Sequence, residues 1–286
     1  MIIRVRRIAA VCALGTALTA LAACSAPQPV RAPRATAGSA VASASPAAGP
    51  PTLAPGPAGL TPVFEHGPRT GDRAVALTFD ADMTADQGPR AARGERFDNP
   101  GLIAALRELK VPATVFMTGR WAEQYPRQAR SLGRDPLFEI ANHSYSHYAF
   151  TEDCYGLPTV DEERMRTDVE RAYAAFREAG VPDPMPYFRF PGGCHDTRAL
   201  RALTPAGVTA VRWDVVSGDA FATDAGAVAR EVLDGVRPGS VVVLHCTLSA
   251  APTTERVVRE VVPELRGKGF RFVKVSELIG ASGGRR

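Results

Sequence analysis

The sequence predicts an α/β protein whose parallel strands close into a barrel of about seven strands. From about residue 63 onward, short runs rich in Val, Ile, Phe and Thr alternate with longer stretches that carry helical periodicity and helix start and stop signals. About seven such strand-helix units favour a barrel over an open sheet. Each polar cluster of the chain also comes at or just after a predicted strand end, on the one face where such barrels hold their chemistry.

Taken in order, Ala74 to Phe79 is a β-type run, and Asn99-Pro100 opens a helix through Lys110, with Asn as cap and Pro at the first helical position. Ala113 to Phe116 is the second strand, followed by a helix through about Leu132, and Leu137 to Ile140 is the third. Thr159-Val160-Asp161-Glu162 has the spacing of a capping box and is expected to open a long helix to Ala179, stopped by Gly180. Tyr187 to Phe190 is the fourth strand, Thr197 to Leu203 a short helix and Thr209 to Trp213 the fifth strand. A helix from Asp224 to Val236, a strand from Ser240 to Leu244, a helix from Thr254 to Arg266 and a strand from Phe270 to Val275 complete the series. The stretch from Ala81 to Asp98 is long for a connection and is expected to form a loop over the site.

The N-terminal part is of another kind. Arg4, Arg6 and Arg7 precede an apolar run from Ile8 to Ala20, the pattern of a secretion signal and too short for a membrane span of about 20 residues. Leu21-Ala22-Ala23-Cys24 resembles the lipobox of bacterial lipoproteins, which implies cleavage before Cys24 and a lipid on its sulfur. The stretch to about Pro62 is nearly all Ala, Pro, Gly, Ser and Thr and cannot bury a core, so it reads as a disordered tether. The expected organisation is a signal over 1–23, a tether over 24–62 and a catalytic domain over 63–286, outside the cytoplasm and held to the membrane by lipid.

The formal charge of +4 resides at the chain's ends. Three Arg of the signal, two of the tether (Arg31, Arg34) and two of the tail (Arg285, Arg286) carry seven positive charges, which leaves the body at −3. No basic platform for nucleic acid remains, and a monomer is expected. With Cys12 lost in the signal and Cys24 lipidated, three cysteines are left. Cys154 and Cys194 lie in loops after neighbouring strands three and four and are expected to be joined, whereas Cys246 follows a strand farther round the barrel.

The most informative stretch is Asn142-His143-Ser144-Tyr145-Ser146-His147. Two imidazoles four residues apart fall on one side of a helical turn and can aim nitrogens at one divalent metal about 2 Å away. The chain has five His, so two at ligand spacing weigh heavily. Asp80 and Asp82, at the end of the first strand, are read either as a metal ligand and a general base or as loop caps. Arg189, before Phe190-Pro191-Gly192-Gly193, has the chemistry to hold a carboxylate, and the glycines let backbone approach a ligand. His245 after Leu244 is either a general acid beside Asp219 or a hydrogen-bonded core residue.

Together, in this order, these clusters resemble the NodB-like polysaccharide deacetylases, carbohydrate esterase family 4, over about Ala74 to Leu278. The resemblance implies a distorted (β/α) barrel and a metal-dependent, usually zinc, enzyme that removes N-acetyl groups from amino sugars. It implies Asp80 as base, His143 and His147 as metal ligands, Arg189 as tether of the base, and Asp219 tuning His245 as acid. It further implies Leu244 against the acetyl methyl, with Pro191 and Gly193 in the substrate wall. Three positions depart from the pattern. Ala81 stands where the family has a metal-binding Asp, with a carboxylate one residue later at Asp82, taken here as the third ligand. Ala220 stands in place of a Trp, and Val216 in place of an acid.

The expected function is removal of N-acetyl groups from cell-envelope glycan, peptidoglycan first because of where the tether places the domain. O-deacetylation by the same residues and a non-catalytic glycan-binding lipoprotein are the rivals, and retention of Asp80, Arg189, Asp219 and His245 argues against the latter. Cys24→Ser is expected to move the protein from the membrane to the soluble or unprocessed fraction while its domain keeps its activity. Membrane fractionation checks this, and a processed variant that stayed on the membrane would count against lipidation.

Overall fold

The computed structural model describes residues 49–283. The expected signal, Cys24 and most of the tether lie outside the described residues. The strands are β1 (Val63–Phe64), β2 (Ala74–Ala81), β3 (Ala113–Met117), β4 (Phe138–Asn142), β5 (Tyr187–Phe188), β6 (Thr209–Val211), β7 (Val215–Val216), β8 (Ser240–His245) and β9 (Arg271–Phe272). The helices are α1 (Gly88–Ala92), α2 (Pro100–Glu108), α3 (Gly119–Gln124), α4 (Pro126–Gly133), α5 (Glu162–Ala179), α6 (Thr197–Leu203), α7 (Ala225–Gly235), α8 (Thr254–Gly267) and α9 (Val275–Ala281). Among the described residues no helix is long and apolar enough to cross a membrane.

One nine-stranded sheet runs in the order β1-β6-β5-β4-β3-β2-β8-β7, with β9 beside β2, and every pairing in it is parallel. This is the distorted (β/α) barrel, with nine strands where seven are read from the sequence. β2 lies inside it, between β3 and β8, and is buried along its whole length, as a strand covered on both faces must be. The expected fifth strand does not run unbroken to Trp213. Residues 209–211 pair with β5 while 215–216 pair with β8, so one run carries the sheet from one flank to the other. Asp214 sits in the break, where its carboxylate accepts from Val241 N at 2.7 Å and Ser240 Oγ at 2.8 Å.

Other differences have local causes. Pro126 lacks an N–H and opens a new helix, so the expected helix through Leu132 divides into α3 and α4. The capping box does not form. Thr159 is used in a bridge to Ala149, and α5 starts only at Glu162 behind Asp161, whose side chain makes no cap bond. Gly180 stops that helix in the left-handed conformation, as expected. The last strand is only β9. Beyond it Glu277 accepts from Lys274 N at 3.2 Å, and Val275, Leu278 and Ile279 are buried as one face of α9. The end of the stretch read as tether touches the body: Tyr187 Oη donates to Pro51 O at 2.8 Å, and Leu53 N donates to Thr209 Oγ1 at 3.3 Å. Both partners open their strands, so this contact is at the barrel end away from the site.

Glu139 on β4 is buried and ties β3, β4 and the start of α9 together. Its Oε1 accepts from Thr114 Oγ1 at 2.7 Å and from Ser276 N at 3.1 Å. Burial pushes its pKa above the ordinary value, against the pull of those bonds. A folded carboxyl that holds its proton more tightly than the unfolded one costs nothing at low pH and destabilises increasingly as pH rises through that range. Glu139→Gln keeps the accepting oxygen. Its melting temperature is expected to match wild type at pH 4 and to exceed it at pH 8; a constant difference across pH would contradict this.

Candidate active site

Asp80 and Asp82 share a face because side chains alternate along a strand. The intervening Ala81 points the other way, fully buried in the apolar layer with Phe79 and Met83. This places the carboxylate at 82, rather than one at 81, beside Asp80. Asp80 lies opposite His245 in the β2–β8 ladder. Arg189, just past β5, is completely buried and donates from Nη1 to Asp80 Oδ1 at 2.7 Å. Its Nε donates to Val211 O at 3.3 Å, and its guanidinium carbon lies 3.9 Å from the centre of the Phe116 ring. Burial alone would raise the Asp80 pKa. The charge of Arg189, with further pulls from the His143 and His245 rings, outweighs burial and holds it below the usual carboxylate range.

The two histidines are not on a helix. They follow β4 in a turn where Ser144 has φ 67° and His147 φ 59°, left-handed conformations that cost a non-glycine residue roughly 1 kcal/mol or more. Side chains hold the turn open. Asn142 Oδ1 accepts from Ser144 N at 2.8 Å, Ser144 Oγ accepts from His147 N at 3.0 Å, and Asp168 Oδ2 on α5 accepts from Tyr145 N, Ser146 N and Ser146 Oγ. The imidazole rings nevertheless meet, their centres 5.0 Å apart. His143 Nδ1 lies 2.8 Å from Arg189 O, so that nitrogen carries the proton and the Nε2 lone pair faces Asp80 Oδ2 at 3.5 Å. His147 Nε2 lies 3.6 Å from Asp82 Oδ2. Burial lowers the pKa of both rings, that of His147 to about 4 against the pull of Asp82.

Among the described residues no three His, Cys, Asp or Glu side chains are drawn together into a closed metal cage. The expected set of Asp82, His143 and His147 is held as separate pairs, because Asp80 is drawn to Arg189 and Asp82 accepts from Thr247 Oγ1. The chemistry of the donors still fits a divalent cation. At His143 a lone pair confronts a carboxylate, acceptor against acceptor, in a buried place where a cation between them would relieve both.

On the other side, Asp219 accepts from His245 N at 2.8 Å and lies 2.8 Å from His245 Nδ1. Ser217 Oγ and Thr254 Oγ1 donate to it at 3.0 and 2.7 Å. Burial would lower the His245 pKa, but the hydrogen bond and charge of Asp219 raise it to about 9. Neighbouring assignments need correction. Leu244 is buried in the apolar layer behind the sheet, because alternation turns Val243 and His245 to the pocket and Leu244 away. Pro191 is likewise buried behind the wall, whose surface is Gly192 and Gly193. Both glycines have positive φ, and a Cβ on Gly193 would stand 2.4 Å from Trp213 Cη2. Cys154 and Cys194 are joined, with Cα atoms 6.0 Å apart, and hold the 151–157 loop over Gly192. Cys246 is free and buried, its thiol pushed up to about 12 by burial.

These groups open into one cavity of about 1050 Å³ that takes in Asp80, Asp82, His143, His147 and His245. Thr84, Gln87, Arg90 and Phe97 of the 81–98 stretch close one side of it. Sequence reasoning missed Asp168, Ser217, Thr247 and Thr254, which act by hydrogen bonds whose partners are 22 to 165 residues away or, for Ser217, two residues on. The single local signal was the Ser217-Gly218-Asp219 turn.

The profile of the polysaccharide deacetylase family matches residues 67–211. The chain belongs to the polysaccharide deacetylase family. It is 28% identical over 225 residues to a chitooligosaccharide deacetylase of Bradyrhizobium sp. (strain ANU 289), covering 74% of this chain and 94% of that one. It is 26% identical over 211 residues to a peptidoglycan-N-acetylglucosamine deacetylase of Bacillus cereus, covering 73% and 89%. The fold is also that of the Bc1960 peptidoglycan N-acetylglucosamine deacetylase, with a TM-score of 0.64, 24% identity, and coverage of 79% of this chain and 96% of that one. As a member of this family the chain is an enzyme.

The two carboxylates of this deacetylase are expected to separate by experiment. Asp82→Ala should weaken Zn²⁺ binding, measured by calorimetric titration. Asp80→Asn should leave binding near wild type yet lower turnover by roughly 10²- to 10⁴-fold, as for loss of a general base. Equal Zn²⁺ affinity in Asp82→Ala and wild type would remove Asp82 from the ligand set.

Proposed function

We propose that this protein is a metal-dependent N-deacetylase of acetylated cell-envelope glycan, with the N-acetylated amino sugars of peptidoglycan foremost. What carries the reading is that one pocket holds a buried carboxylate tuned downward, Asp80, and an imidazole tuned upward, His245. Two titratable groups pushed apart in this way are a base and an acid. The deacetylase names of the relatives in Bradyrhizobium and Bacillus cereus support the same substrate class.

In this mechanism Asp80, kept ionised and immobile by Arg189, takes a proton from a water whose oxygen adds to the acetyl carbonyl carbon. When the C–N bond breaks, its electron pair stays on nitrogen, which takes a proton from His245. Asp219 occupies Nδ1, so the proton comes from Nε2. Acetate and a free amino sugar leave. A divalent cation, Zn²⁺ foremost, held by His143, His147 and Asp82, would polarise the carbonyl and acidify the water when bound. In the same proposal a lipid on Cys24 keeps the enzyme outside the cytoplasm at the membrane, as a monomer within reach of the wall.

Acetate release from N-acetylated oligosaccharides, with O-acetylated xylan as comparison, tests the reaction. No release from either would overturn it, and release from the esters alone would replace amide by ester chemistry. The pH profile tests the acid. His245 is protonated below about 9, so kcat/KM should fall as pH rises through about 9. Asp219→Asn removes the anion that raises this pKa and should move the alkaline limb down toward the ordinary imidazole value of 6.5. An unmoved limb would take the acid role from His245.

A further inference from the structure

The body's total charge of −3 hides how that charge is distributed. At the barrel end away from the pocket, where β2, β3, β4 and β9 begin, Arg73, Lys110, Arg134, Arg266 and Lys268 are exposed and Lys274 is partly buried. Their contacts make them neighbours. Arg266 Nη2 donates to Leu109 O at 2.7 Å and to Lys110 O at 3.4 Å, and Arg73 Nη1 donates to Lys268 O at 2.7 Å. Lys274 Nζ donates at 2.7 Å to the carbonyl of Pro136, which follows closely on Arg134. Among the described residues the ion pairs at this end join Arg107 to Asp135 and Arg271 to Asp72 and Glu277, so none takes up any of these six cations.

Cations near helix C-termini complement the last carbonyls, and Arg266 and Arg73 do so at the ends of α2 and α8. That role does not extend to Lys110, Arg134 and Lys268, whose side chains hold no hydrogen bond among the described residues. A carbonyl also accepts a hydrogen bond without cancelling the donor's charge. With Arg107 and Arg271 included, eight cations face the four carboxylates of Asp72, Asp135, Glu264 and Glu277 at this end of a body whose total is negative. Like charges gathered without partners repel one another, so folding gains nothing from the surplus.

Nor does the surplus serve the pocket. β2 runs from Ala74 at this end to Asp80, about 20 Å at 3.3 Å a residue, against a screening length of about 8–10 Å in physiological salt. Its partner is a separate anionic surface, and chain connectivity says which one. Pro51 and Leu53 lie against this same barrel end, bonded at the starts of β5 and β6, and Pro51 also packs beside α9, which Lys274 precedes. The stretch that carries the proposed lipid on Cys24 therefore joins the body at the cationic end. We infer that this end docks on an anionic phospholipid bilayer, with its cations at the headgroup phosphates, so that the pocket opens away from the membrane. A lipid anchor and a basic surface reinforce each other in this way. The inference rests on the proposed anchoring for its choice of partner and is independent of the deacetylase chemistry.

The test sediments the chain from Ser25 onward, which keeps every described residue and carries no lipid, with vesicles of phosphatidylcholine alone or in equal parts with phosphatidylglycerol. It should bind the mixed vesicles and not the neutral ones, and salt at about 0.5 M should release it. Lys110→Asn, Arg134→Gln and Lys268→Gln combined remove three cations that hold no other bond, and Asn tolerates the left-handed backbone of position 110. This variant should melt with wild type and release acetate at the wild-type rate, yet bind the anionic vesicles on the order of 100-fold more weakly, from roughly fivefold per cation. Arg166→Gln, Arg230→Gln and Arg256→Gln combined change the net charge equally from exposed places on α5, α7 and α8 away from this end, and should bind within about threefold of wild type. Equal binding by wild type and the first variant, or equal loss in both variants, overturns the docking end. Binding of soluble polyglycerol phosphate with none to either vesicle replaces the membrane by a wall polymer and overturns the inference as stated. Vesicle binding as expected without acetate release from N-acetylated oligosaccharides would count against the deacetylase reading alone.

Discussion

The buried pair of Arg189 and Asp80 is the contact on which the rest of the site depends. A guanidinium with no exposed surface has lost its hydration, and one carboxylate at 2.7 Å together with a backbone carbonyl replaces it. Removing either partner leaves a bare charge in the barrel, a loss of about 3–5 kcal/mol in comparable cases. The pair also joins the end of β5 to the end of β2 through the middle of the sheet. Arg189 O at the same time holds His143 Nδ1, so one residue sets the position of Asp80 and the tautomer of a histidine.

Charge in the pocket is arranged by what each group is paired with. Asp80, Asp219 and His143 are buried and His245 is partly so, and burial alone would favour the neutral form of each. Arg189 keeps Asp80 ionised, and Asp219 keeps His245 protonated. His143 and His147 have no such partner strong enough, and burial holds the pKa of both rings down. The direction in which each group's pKa moves thus follows from its neighbours rather than from residue type.

The loops around the pocket are held by devices that cost something locally. Left-handed Ser144 and His147 are held by Asn142 Oδ1 and Ser144 Oγ, with Asp168 holding the residues between them, and the 151–157 loop is kept by a disulfide that passes over a glycine. A Cβ on Gly192 would stand 2.6 Å from Cys154 Sγ, so the glycine and the bridge require each other. These fixed loops give the pocket a defined rim on a barrel whose strands β5, β6 and β7 are only two or three residues long.

By itself the sequence determined the alternation of strands and helices, and it singled out Asp80, His143, His147, Arg189, Asp219 and His245, which the fold brings together at or directly behind one pocket. These were legible because strand periodicity and motif spacing are local, and because few residue types do acid, base or ligand work. The pairing of Cys154 with Cys194 was legible from strand order alone. Tertiary structure decided what depends on distant partners. Strand alternation put Asp82 in register with Asp80, and Val243 rather than Leu244 in the pocket. The division of β6 from β7 required knowing that β8 lies beside the second half of that run. The His stretch is not the helical turn its spacing suggests, because Asp168 on α5, more than twenty positions away, holds Tyr145 N and Ser146 N between the two left-handed residues. Local sequence encodes which groups are present and on which face. Only packing decides which of them share a partner, and so which charge each one carries.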